Sequence, residues 1–125
     1  MTIEIARQAL EIINQRMRDR DSSVADLFVP DALLVGSEAN EIASGRQAIA
    51  SLLAAIHARD YVVWWDFPQL HSGGDTQRIW LFAEGHVVVQ RASGSHRLPY
   101  RLSAALVAQD GAWRWELFHG SEPRG

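Results

Sequence analysis

The chain has 125 residues, 47% of them hydrophobic, and a formal net charge of −3. That length suits one domain with one core, taken as residues 1–125, and that hydrophobic share excludes a disordered chain. Cysteine and lysine are both absent, which excludes disulfides, thiolate catalysis, cysteine-held metals and Schiff-base chemistry on a lysine.

All 12 basic residues are therefore arginine. They are scattered along the chain, so there is no clustered footprint for nucleic acid. No apolar run approaches the roughly 20 residues of a membrane helix. The start, Met-Thr-Ile-Glu-Ile-Ala-Arg, lacks the charged-then-apolar layout of a signal peptide. A cytoplasmic protein without a membrane partner is expected. The histidines, His57, His71, His86, His96 and His119, show no paired ligand spacing, so neither a metal nor a cofactor is expected.

The spacing of Ala6, Leu10, Ile13 and Met17 predicts a first helix over 3–18. A short second helix is expected near 24–28, capped by Ser23 and ended by Pro30. Ala32 to Val35 reads as a strand and 36–43 as a loop. A third helix should start at Ser44, with Gln47 completing a capping box, and bury Ala48, Ile49, Leu52, Leu53 and Ile56. It should end near Arg59. Long strands follow at 61–70, 77–91, 100–108 and 113–119, the first irregular at Pro68. Asp110-Gly111 between the last two is a strong hairpin signal, because both turn positions need positive φ. Helices followed by an antiparallel meander mean an α+β domain, a curved sheet closed by helices into a cone with a pocket.

Several segments, in this order, carry a family resemblance: Asp26-Leu27-Phe28, Asp31 to Gly36, Ser44 to Ile49, Trp80 to Gly85, Leu98 to Leu102, and Trp113 to Pro123. The chain resembles the NTF2-like superfamily and specifically its SnoaL-like branch. The resemblance implies the cystatin-like cone, with three N-terminal helices on a mostly antiparallel sheet. It does not imply one activity, since the superfamily includes isomerases, polyketide cyclases, epoxide hydrolases, dehydratases and oligomerisation domains. Ketosteroid-isomerase-like members place an aspartate near the end of the first strand, where this chain has Gly36. Glu38 is nearby, and reads better as an exposed loop acid. Epoxide-hydrolase-like chemistry would use two aspartates and an arginine; Asp66 and Arg101 are available, without a matching second aspartate. A dehydratase reading would use Tyr100 and His119.

Strand alternation supplies the remaining candidates. Trp80, Phe82, Glu84 and His86 share one face of the middle strand; Ile79, Leu81, Ala83, Gly85, Val87 and Val89 share the other. A strand apolar on both faces is covered on both. Helices would cover one face and a second copy the other, so a homodimer through the outer sheet face is expected. By analogy with the kinase-association branch, Phe82, Ala104 and Glu116 are placed on the concave wall; a single bulge would invert this. The expected ligand-binding set is Trp64, Trp80, Phe82, Glu84, Tyr100 and Glu116, taking a small, largely apolar molecule. Trp64 and Trp65 must face opposite sides. The acid–base candidates are Glu84, Glu116 and His119, and salt bridges to Arg101 or Arg114 are the competing reading of the two glutamates. An isomerase-, cyclase- or dehydratase-like enzyme is the alternative to a binder.

Overall fold

A computed structural model of the protein describes residues 1–124. Helix α1 (Thr2–Arg18) buries Ala6, Ala9, Leu10, Ile13 and Met17, the stripe that the 3.6-residue period puts on one side. A 3-10 helix follows at Ser22–Leu27, starting two residues before the expected helix. Its cap is Asp21 rather than Ser23. The Asp21 carboxylate accepts the Ser23 N–H at 2.9 Å, and that bond holds the carboxyl below its usual range.

Strand β1 (Phe28–Val35) contains Pro30 instead of starting after it. Its pairing with the last strand is interrupted between Phe28 and Leu33, so the missing proline N–H breaks no ladder there. Strand β2 (Ile42–Ser44) folds back on β1, pairing Ser44 with Leu33. Ser44 is therefore a strand residue. The N-cap of α2 (Arg46–His57) is Gly45, at φ 92°, and no side chain caps the helix. Arg46 anchors the start of α2 by donating to the Phe28 carbonyl from both Nε and Nη2, at 2.9 and 2.6 Å.

Four long strands complete the chain: β3 (Val62–Gly74), β4 (Arg78–Arg91), β5 (Gly94–Gln109) and β6 (Ala112–Ser121). The order across the six-stranded sheet is β2-β1-β6-β5-β4-β3. All neighbours are antiparallel except β1 and β6. At the hairpin turn Asp110 and Gly111 both have positive φ, 53° and 79°.

Two irregularities curve the sheet. In β3 the register shifts between Asp66 and Gln69, around Phe67-Pro68. Opposite this kink sits Gly85, where a Cβ would strike the Asp66 carbonyl and the Pro68 ring. In β6 the shift falls at Glu116, which is the extra residue between Trp115, opposite Leu106, and Leu117, opposite Ala105. As a result Trp115 and Phe118, three apart, are both buried on the inner face.

Helix α1 also protects the β3 edge. The Asn14 side chain donates to the Trp65 carbonyl at 2.8 Å and accepts the Trp65 N–H at 2.9 Å. One amide thus meets both backbone groups that an edge strand would leave open. The core lies between the helices and the inner sheet face: Ile79, Leu81 and Ala83 of β4, Leu102, Ala104 and Leu106 of β5, and an aromatic group of Phe28, Trp115 and Phe118.

Candidate functional site

The inner face is filled by α1 over part of its length. Beyond that, between α2 and the sheet, a cavity of about 170 Å³ remains. Ile13, Met17, Leu53, Ile56, Val63 and Val87 give it an apolar wall. Trp65, Tyr100 and Phe118 supply aromatic surface, with Trp65 and Phe118 ring centroids 5.2 Å apart and Trp65 and Tyr100 6.4 Å apart. An apolar cavity of about 150 Å³ is enough to take benzene, so this one suits a single ring.

Tyr100 is the polar group of the inner wall. The residue is 6% exposed. On β6 the residue opposite Leu102, diagonal to Tyr100, must be Gly120, because a Cβ there would fall on the Tyr100 hydroxyl. Burial pushes the Tyr100 phenol up to about 12, and the charges of Glu41 and Glu122 add to the effect. Tyr100 is therefore a neutral hydroxyl, able to donate to a ligand, across the physiological range. The Trp65 indole N–H lies near enough to that hydroxyl to favour the phenolate slightly, but no hydrogen bond of ordinary geometry joins them.

The mouth of the cavity is acidic. Glu38 and Glu41 come from the β1–β2 loop and Glu122 follows β6. Glu41 is half-buried and lies directly over Gly36, where a Cβ would strike its carboxylate. It also accepts the Glu38 N–H at 3.2 Å, and the Gly36 N–H donates to the Glu41 carbonyl at 2.7 Å. The loop thus sets a carboxylate over the strand end that lacks one of its own. Arg59 and Tyr61 complete the rim, with the Arg59 guanidinium donating to the Tyr61 hydroxyl.

The residues expected to form the site divide between two faces of the sheet. Tyr100 lines the cavity. Trp80, Phe82, Glu84 and Glu116 do not; they lie on the outer side or at the β6 bulge. The inner face of β4 is instead the apolar set, because the helices carry the apolar stripe that it must meet. Trp80 is 53% exposed, and Phe82 is half-buried beside His71, with ring centroids 6.3 Å apart. Glu84 pairs with Arg101 at 3.0 Å and Glu116 with Arg78 at 2.9 Å. Arg114, the other expected partner, donates to the Asp26 carbonyl. His119 is exposed, in register with Ser103. Of the two tryptophans it is Trp65 that lines the cavity, whereas Trp64 lies under the Arg18 guanidinium, 3.9 Å from the ring centroid. Of the concave set drawn from the kinase-association branch, Ala104 alone is on the inner face, opposite Leu81 and Phe118.

Sequence reasoning missed Glu41, Arg59, Tyr61 and Glu122. Their common signal was proximity to an element end, which no periodicity picks out. Among the described residues no group of three His, Asp or Glu side chains is placed to hold a metal, and no helix is long and apolar enough to cross a membrane.

Solved structures with this architecture are numerous and distant in sequence. An NTF2-like family protein from Streptomyces avermitilis, named provisionally as a dehydratase, superposes with a TM-score of 0.84 at 13% identity, over 99% of this chain and 98% of its own. An NTF2-like protein of unknown function from Pseudomonas putida KT2440 gives 0.79 at 16% identity, over 98% and 87%. A Catenulispora acidiphila protein in complex with S-DNPA gives 0.82 at 19% identity, over 95% and 91%. Such identities establish the fold and nothing finer. Among curated protein sequences none matches the chain. The SnoaL-like domain model matches residues 6–125, nearly the whole chain, and the protein belongs to that family.

Proposed function

We propose that the protein binds a small, largely apolar molecule in its cone. The observation that carries this reading is the cavity itself, apolar and aromatic inside, with Tyr100 as a neutral donor on its wall. Native mass spectrometry and thermal shift against a panel of single-ring compounds test it. A bound ring should raise the melting temperature. Ile56→Phe, which puts a ring into the cavity from α2, should abolish that rise. A panel without binders, or binding that survives the filled cavity, would sink the reading.

A second reading has its own support. Tyr100, a neutral acid, and Glu41, a carboxylate held by its loop, act on the same cavity. Such a pair suits the acid–base chemistry of an isomerase, cyclase or dehydratase. Glu84, Glu116 and His119 do not reach the cavity and drop out of this scheme. A turnover lost in both Tyr100→Phe and Glu41→Gln would establish it; turnover retained in either would remove that residue from the chemistry.

We further propose that the outer sheet face pairs with a second copy of the chain. Trp80, Phe82 and Leu117 form its apolar centre, and the Arg78–Glu116 and Glu84–Arg101 pairs place both signs of charge on the same face. A face with both signs can meet its own copy across a two-fold axis.

A further inference from the structure

The protein pairs its acids selectively. On the outer face Asp66, Glu84 and Glu116 each hold an arginine. At the cavity mouth Glu38, Glu41 and Glu122 hold none, among the described residues. Arg59, which lines the same mouth, donates its guanidinium to Tyr61 and feels the charges of Glu41 and Glu38 without forming a salt bridge to either. Three carboxylates and one guanidinium leave the mouth with a net negative charge, while the interior behind it is apolar.

A second, independent observation lies inside. Trp65 is 8% exposed and its indole N–H has no hydrogen-bond partner, although the residue lines the cavity beside Tyr100. A buried donor left unmet costs free energy, and a ligand acceptor at that depth would satisfy it. The carboxylates at the mouth are not arranged for a metal ion, since among the described residues no group of three acids or histidines converges closely enough. The charge they favour must arrive on an organic molecule.

We infer that the cavity takes a cationic single-ring amine, its ring inside, an oxygen at its far end near Trp65 and Tyr100, and its ammonium at the mouth beside Glu41 and Glu122. This rests on the proposed binding role and adds a ligand class to it. The apolar wall accepts the ring and the volume limits it to one. Glu41 is the best placed anchor, because its loop and Gly36 fix the carboxylate before any ligand arrives. Anionic ring compounds would meet the same carboxylates as like charges and be rejected.

Four matched probes test this by isothermal titration calorimetry on the full chain: tyramine, its neutral analogue tyrosol, phenethylamine without the ring oxygen, and 3-(4-hydroxyphenyl)propanoate. Tyramine should bind about tenfold tighter than tyrosol, the gain of one charge-assisted contact. Phenethylamine should fall below tyramine, and the propanoate below all three. The double variant E41Q, E122Q should bring tyramine down to the level of tyrosol, with its thermal unfolding confirming that it folds. If tyrosol or the propanoate binds as tightly as tyramine, the charge preference is overturned while the binding pocket stands. If none of the four binds, the pocket reading falls and this inference with it.

Discussion

Tyr100 is the buried phenol of the cavity wall, and its environment gives two measurable consequences. Burial raises its pKa from 10.0 to about 12, so the folded protein holds this proton more tightly than the unfolded chain. The sign follows by linkage: the contribution is complete below the unfolded value near pH 10 and is lost as pH rises through the folded value near 12. At about 1.4 kcal/mol per unit the loss amounts to roughly 2–3 kcal/mol. Urea unfolding at neutral pH and again above about pH 10 should show a steeper fall for the native chain than for Tyr100→Phe. Parallel declines would show that the phenol is not the group responsible. Gly120 gives the second consequence. An alanine methyl at this position overlaps the Tyr100 ring and hydroxyl, so Gly120→Ala should destabilise by about 1–3 kcal/mol. Combined with Tyr100→Phe the loss should be less than the sum, because the two substitutions act on one contact.

At the scale of elements, the hairpin shows what local sequence determines and what it does not. Asp110-Gly111 demands positive φ twice, and both residues adopt it, at 53° and 79°. Gly111→Ala should cost about 1 kcal/mol by equilibrium unfolding, since a Cβ disfavours that conformation even with open space around it. Gly85→Ala should cost more, because its Cβ meets backbone of the kinked β3 strand and neither neighbour is a flexible side-chain end. The same stretch of chain shows where reading from sequence stops. Period-2 alternation identified every long strand and even the two faces of β4. It did not say which face was inside, and the richly functional-looking set of Trp80, Phe82 and Glu84 turned out to be the outer one. The bulge at Glu116 then broke parity within β6, so Trp115 and Phe118 came to share a face that alternation denies them. A bulge leaves no mark in residue type, and its partner register is a long-range fact. Ser44 shows the same limit from the other side: its capping-box spacing was sound, but pairing with Leu33 claimed it for β2. The mouth acids Glu41 and Glu122 lie in loops and ends, where no period applies.

On the scale of the whole molecule, the sheet separates two surfaces with different demands. Its inner face meets helices over most of its length and leaves the cavity that Tyr100 lines; its outer face carries Trp80, 53% exposed, amid half-buried Phe82 and Leu117. An exposed tryptophan in an apolar sheet centre, rimmed by arginine–glutamate pairs, is the kind of patch that marks an interface. If a second copy covers it, the two-fold axis must pass near the sheet centre, and each Trp80 then packs against the other subunit's sheet. Light scattering on the native chain at micromolar concentration should therefore give twice the chain mass of 14.0 kDa. Trp80→Glu puts a charge into the centre of that contact and should return the single-chain mass, with circular dichroism unchanged because the outer face contributes little to the core. The cavity variant Ile56→Phe should do the reverse, removing ligand binding and leaving the mass doubled, since α2 lies on the opposite side of the sheet. A native chain that scatters as a monomer, or a Trp80→Glu variant that stays dimeric, would place the interface elsewhere and leave the exposed tryptophan in need of a different partner.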